Sequence, residues 1–156
     1  MLTSSTILYC ATVLTRLFLN AIQSDWIAYN NSRVKTVAQY KIVDDVNITA
    51  GFQMGLRLFS GGARKPSYDA YKLPIWVSKK GANVTVYGQV RPADAGAAGT
   101  VDVQNAATGS SAFKTVQSVP VTSTNGTFTV DLPDTGGVWR LSWNGITSRQ
   151  AEVASK

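Results

Sequence analysis

The stretch NVTVYGQVR (Asn83–Arg91) decides the fold class, because apolar and polar residues alternate along it. A period of two is the signature of a half-buried β-strand, whose successive side chains point to opposite faces. Its valines share the side that we expect to face a core. Tyr87 falls on the opposite side, where we expect it to be exposed. The stretch therefore predicts one strand of an antiparallel sheet with one buried face.

Other short runs on both sides of this stretch show the same alternation, separated by Gly, Asn, Asp and Ser at intervals of about 10 to 13 residues. These runs are Leu73–Val77, Thr100–Asn105, Phe113–Val121, Gly126–Leu132, Val138–Trp143 and Thr147–Val153. About seven short strands at this spacing are typical of an immunoglobulin-like or fibronectin-like β-sandwich. We therefore predict a mainly β chain with such an antiparallel sandwich over residues 75–156.

Residues 1–74 have a different periodicity. Apolar positions from Leu14 to Tyr29 recur with the spacing of an amphipathic helix. The following Arg33–Val43 is rich in β-branched and aromatic residues, as in a buried parallel strand. Gly51–Phe59 is a candidate for a short extended segment, and Ser67–Tyr71, after a proline, for a short helix. This half is thus predicted to be a helix-strand unit of an α/β repeat.

The composition excludes most enzyme chemistry. The chain has no His, one cysteine (Cys10) and one glutamate (Glu152), so it offers no His-containing triad, His-ligated metal or disulfide. We expect no cofactor, no metal site and no catalytic residue. No apolar run is long enough to span a membrane, and the N-terminal run lacks the preceding basic residue of a signal peptide.

The net charge is +6, but the basic residues are scattered along the chain. A loose cluster lies around the junction of the two halves and comprises Arg57, Arg64, Lys65, Lys72, Lys79 and Lys80. Nucleic-acid binding usually needs a denser basic face or a recognisable module. We therefore interpret these residues as a solvated surface and expect no nucleic-acid partner.

Three stretches carry a resemblance to a known family: FLNAIQSDWIAYNNSRVKTVAQYKIVDD (Phe18–Asp45), GFQMGL (Gly51–Leu56) and KPSYDAYKLPIW (Lys65–Trp76). They resemble the C-terminal end of the (β/α)8 catalytic barrel of secreted bacterial glycoside hydrolases of the GH39-like, clan A type. The resemblance implies a helix that leads into the eighth barrel strand, then a closing helix and an appended β-sandwich. It also implies an extracellular parent protein that acts on carbohydrate.

A whole barrel needs about 250 residues, far more than precede the predicted sandwich. In the family the general acid and the nucleophile are glutamates on earlier barrel strands, yet no residue before Glu152 is a glutamate. We therefore expect this chain to be a C-terminal fragment that is itself not catalytic. Apolar residues made for absent barrel neighbours should pack on the sandwich, pair between chains or stay partly exposed; they are Leu17, Phe18, Ile22, Val37 and Tyr40.

The resemblance places Gln39, Tyr40, Asp44 and Asp45 near the active-site end of the barrel strand, which makes them candidates for substrate binding. Turn chemistry favours the alternative that these aspartates are solvated strand-terminating or helix-capping residues, and core packing is the default for the tyrosine. Because neighbouring strand residues project to opposite sides, the two aspartates are not expected to flank one glycosidic bond.

A second candidate site lies on the sandwich, where Tyr87 could join Trp139 or Trp143 in a flat platform for sugar rings. Both tryptophans share their strand side with Leu141, which favours the core for that side. Alternative functions are therefore a carbohydrate-binding or adhesion module and a purely structural immunoglobulin-like accessory domain. The first alternative requires Tyr87 and a tryptophan to be exposed together.

Overall fold

The computed structural model describes residues 22–47, 49, 51, 53–92 and 99–154. The chain divides into two compact units, Met1–Asp69 and Ala70–Lys156. The described elements are α1 (residues 22–29), α2 (Pro66–Lys72), β1 (Ile75–Lys80), β2 (Asn83–Gln89), β3 (Thr100–Ala106), β4 (Lys114–Pro120), β5 (Thr127–Pro133), β6 (Val138–Trp143) and β7 (Ile146–Thr147). The chain is therefore mainly β, as the alternation predicts.

All seven strands lie in the second unit and form two antiparallel sheets. One sheet has the order β1-β2-β5 and the other the order β4-β3-β6-β7. Inward side chains of both sheets belong to one apolar cluster, with Val86 and Phe128 from the first sheet and Val103 and Leu141 from the second. This arrangement is consistent with a β-sandwich, in which two sheets bury their inner faces against each other.

Two glycine positions show why this sequence fits the sandwich. A Cβ on Gly88 of β2 would lie 2.5 Å from Phe128 Cζ and 2.6 Å from Leu141 Cδ1, so only glycine leaves room for these core side chains. Between β6 and β7, Asn144 and Gly145 have φ values of 45° and 77°. Positive φ at both central residues is typical of the tight hairpin turn that Asn-Gly favours.

The strand limits differ from the predictions mainly at the two ends of the sandwich. β1 begins at Ile75, after Pro74, and continues to Lys80. β7 covers only Ile146–Thr147 in place of the predicted Thr147–Val153. There the Ser148 hydroxyl accepts the Leu141 N–H at 2.8 Å, a side-chain bond that replaces a backbone ladder bond.

The N-terminal unit departs further from its prediction. α1 confirms the described part of the predicted helix, and α2 confirms the predicted short helix. The predicted strand Arg33–Val43 is wrong: its residues form no strand, and only Val43 is bridged, in parallel, to Arg57. A strand needs partners for its backbone groups, and the described part of the chain supplies only this one bridge.

The apolar residues expected to lack neighbours divide into three groups. Leu17 and Phe18 lie outside the described residues, and Ile22 is buried. Val37 and Tyr40 stay exposed, with 55% and 80% of their surface accessible. Of the large apolar residues exposed in the described chain, all but Val116 belong to the N-terminal unit. No helix among the described residues is long and apolar enough to cross a membrane.

Candidate functional site

The adjacent carboxylates Asp44 and Asp45 follow the short parallel bridge of the N-terminal unit. The Arg57 N–H donates to Ile42 O and the Asp44 N–H donates to Arg57 O, both at 2.9 Å. Further along, the Lys65 N–H donates to Leu56 O at 2.9 Å, so three short segments lie side by side. These backbone bonds bring Lys65 close to Asp44, although the two are distant in sequence.

Asp44 is buried, with 6% of its surface exposed, and one oxygen of its carboxylate has two partners. Its Oδ1 accepts the Gly55 N–H at 2.8 Å and Lys65 Nζ at 2.7 Å. The same ammonium donates to Gln53 O at 3.0 Å. A Cβ on Gly55 would lie 2.5 Å from the Asp44 nitrogen, so glycine is needed for this close approach. The prediction of a solvated strand-end aspartate is therefore wrong for Asp44.

Asp45 has a more open position and forms an ion pair with Lys41. Close by, the Gln39 side-chain amide donates to Lys41 O and Met54 O, both at 2.9 Å. Gln39, Asp44 and Asp45 thus surround the same stretch of backbone, whereas the Tyr40 side chain points into solvent. Three of the candidates predicted for the N-terminal unit are therefore brought together.

These contacts determine what the carboxylates can do chemically. Each forms an ion pair with a lysine: Asp44 with Lys65 and Asp45 with Lys41. Glycoside hydrolysis needs a second carboxyl group across the glycosidic bond, with one of the pair held protonated. Among the described residues, no group of three or more His, Cys, Asp or Glu side chains could hold a metal ion. The arrangement is that of two separate ion pairs, Asp44 with Lys65 and Asp45 with Lys41.

The expected exposure of Tyr87 is wrong, since only 2% of its surface is accessible. β2 is the central strand of its sheet, so Tyr87 lies between Trp76 on β1 and Thr129 on β5. Alternation along one strand cannot reveal whether its second face is covered as well. Trp139, predicted to lie in the core, is fully buried, and Trp143 packs against the same core from a half-buried position.

Two arginines and a tyrosine form a cluster that the sequence analysis missed. Arg57 Cζ lies 4.8 Å and Arg64 Cζ 4.6 Å from the centroid of the Tyr68 ring. Arg57 and Arg64 are partners in an antiparallel bridge, and Tyr68 is in α2. The only sequence signal was the loose basic cluster around these positions, which gave no indication that two arginines share one ring.

Comparisons with protein families, curated proteins and solved structures found no match.

Proposed function

We propose that this chain is the non-catalytic C-terminal part of a glycoside hydrolase-like protein that acts on extracellular carbohydrate. The observation that carries the non-catalytic role is the pairing of Asp44 with Lys65 and Asp45 with Lys41. These are the carboxylates that the family resemblance puts near the barrel's active-site end. Both carboxylates are engaged by lysines, and Asp44 also accepts the Gly55 N–H, so we assign the pair a structural role in the loop around Gly55.

Two further features support the proposed origin. α1 precedes a parallel bridge between Val43 and Arg57, and parallel pairing is the pairing of barrel strands. After α2 the chain enters the sandwich, in the order that the resemblance implies.

We further propose that the sandwich is immunoglobulin-like. In that arrangement the first, second and fifth strands share one sheet, and the third, sixth and seventh share the other. β1, β2 and β5 here form one sheet, and β3, β6 and β7 belong to the other, which β4 joins at its edge.

For the sandwich itself, a structural role is favoured over sugar binding. A stacking platform needs flat aromatic faces in contact with solvent, whereas Tyr87 and Trp139 are both buried. We therefore propose an accessory domain whose aromatic residues stabilise the core.

Two experiments test the proposal. The DNA upstream of the first codon should continue in frame and encode barrel strands with two catalytic glutamates; a non-coding region there would overturn the proposed origin. The chain, incubated with aryl glycosides and soluble polysaccharides, should release no product. Turnover that Asp44→Asn or Asp45→Asn abolishes would show instead that these carboxylates are catalytic.

A further inference from the structure

The cluster formed by Arg57, Arg64 and Tyr68, here called the arginine clamp, holds two positive charges close together. Both guanidinium centres lie within 5 Å of one ring centroid, so they are separated by no more than roughly one Debye length, ~10 Å at about 0.1 M salt. Like charges directly opposite each other on paired segments destabilise the pairing. The stacking on the Tyr68 ring offsets part of this repulsion, because the ring face attracts cations.

Four lysines of the described chain form ion pairs, whereas the arginine clamp forms none. Lys41, Lys65, Lys79 and Lys80 are each paired with an aspartate. Neither arginine of the clamp has a carboxylate within 4.0 Å among the described residues. Even Asp69, which follows Tyr68 in α2, forms no ion pair with them. The clamp therefore carries two charges that no described acidic side chain neutralises.

The geometry of the clamp is also restrained. The Arg57 Nη1 group donates to Gly62 O at 3.0 Å, which fixes the half-buried guanidinium against the turn. Arg64 is exposed, so its remaining N–H groups are open to a ligand. Guanidinium groups bind carboxylate and sulfate oxygens through paired, charge-assisted hydrogen bonds. Two such groups held on one ring are suited to neighbouring oxyanions of one polymer.

We propose that the arginine clamp binds the anionic groups of an acidic polysaccharide, either carboxylates of a polyuronate or sulfates of a sulfated glycan. This proposal rests on the proposed carbohydrate role of the chain and narrows it to acidic glycans. It also places carbohydrate recognition in the N-terminal unit, at residues other than the candidates Gln39, Tyr40, Asp44 and Asp45.

A nucleic acid is disfavoured as the ligand, although its phosphates share the same anionic chemistry. Phosphate-backbone binding draws on many cations along an extended face, whereas the clamp supplies two. Binding of single strands also uses aromatic rings on which bases stack, and the Tyr68 ring is already covered by guanidinium groups.

The test uses the whole chain and isothermal titration calorimetry with polygalacturonate, dextran sulfate, neutral dextran and a single-stranded DNA oligomer. Arg64→Gln removes one open cation, and Lys114→Gln on β4 removes the same charge from the other unit as a matched control. We expect binding to at least one acidic glycan and none to neutral dextran. Arg64→Gln should weaken that binding by about tenfold, while Lys114→Gln leaves it within about twofold of the parent chain.

Three results would overturn the proposal: equal losses in the two variants, equal binding to neutral dextran, or tighter binding to the DNA oligomer than to either glycan. Arg57→Gln provides a second variant, and its thermal unfolding is measured because it also removes the bond to Gly62. The outcome is independent of the hydrolase origin. If Arg64→Gln loses anion binding, that result stands even where the upstream DNA encodes no barrel. Conversely, the presence of an upstream barrel would not by itself produce this loss.

Discussion

Replacing Asp44 with alanine should destabilise the N-terminal unit far more than the same change at Asp45. In the parent chain, Asp44 Oδ1 accepts the Gly55 N–H and neutralises the Lys65 ammonium. The Asp44 side chain is 4% exposed and the Lys65 side chain 19%. Removing one partner of a buried ion pair costs about 3–5 kcal/mol, because the other charge stays buried without compensation. Lys65 keeps its bond to Gln53 O, so we expect about 3 kcal/mol.

Asp45→Ala is the matched control, since it removes the neighbouring carboxylate and its ion pair with Lys41. The side chains of that pair are 25% (Lys41) and 31% (Asp45) exposed. Solvent-exposed pairs contribute about 0–1 kcal/mol, because water screens them and both side chains lose freedom. The two variants should therefore differ by at least about 2 kcal/mol, which corresponds to a ratio of about 30 in an equilibrium constant.

Amide hydrogen exchange measures this difference in stability within the N-terminal unit itself, without relying on the unfolding of the sandwich. Suitable reporters are the Leu58 N–H, which donates to Ala63 O, and the Lys65 N–H, which donates to Leu56 O. In Asp44→Ala their protection factors should fall at least about 30-fold further than in Asp45→Ala. Equal protection in both variants would refute the structural role assigned to Asp44.

Three further predictions concern the sandwich and the exposed surface. Gly88→Ala should lower the free energy of unfolding of the sandwich by about 1–3 kcal/mol in urea, since the added methyl would overlap Phe128 and Leu141; a change below about 0.5 kcal/mol would contradict the observed packing. Hydrogen bonds from lysines depress the pKa values of Asp131 and Asp134 below 3.8. The ionised carboxylates therefore stabilise the folded sandwich above that pH, and this contribution is lost as the pH falls through the lowered pKa values. Between pH 6 and pH 2, the melting temperature should fall less in the double variant Asp131→Asn/Asp134→Asn than in the parent chain. Identical profiles would show that these two carboxylates do not contribute to the pH dependence of stability. A neutral hydrophobic dye should bind the chain because many apolar side chains of the N-terminal unit are exposed, and a monomer that binds no dye would contradict this.

The sandwich could be predicted because alternation directly reports which side of a strand is buried. β6 has the predicted limits, and its alternate residues Trp139 and Leu141 are fully buried. The order of the strands could not be read in this way. β5 pairs with β2 and β6 with β3, and nothing in the spacing of the runs specifies these long-range partners. The burial of Tyr87 was missed as well, because the alternation along β2 does not report what covers its second face.

The N-terminal unit was harder to predict because its structure depends on contacts between distant polar residues. Arg33–Val43 has the composition of a strand, but composition cannot supply the neighbours that a strand needs. The adjacency of Asp44 and Asp45 is visible in the sequence, whereas the lysine that binds Asp44 comes 21 residues later. Arg57 and Arg64 become partners only through the intervening turn, where Gly61 and Gly62 both adopt positive φ.

The two units differ in what stabilises them, and this difference indicates where a ligand should bind. The sandwich buries Tyr87 and Trp139, the aromatic residues that a sugar platform would need, and pairs Lys79 and Lys80 with aspartates. The N-terminal unit pairs Lys41 and Lys65 with aspartates, yet Arg64 remains exposed on a tyrosine ring without a described acidic partner. Because recognition of an acidic glycan needs accessible, uncompensated cations, a variant of Arg64 should affect binding, whereas Trp139 variants should act on binding only by unfolding the sandwich.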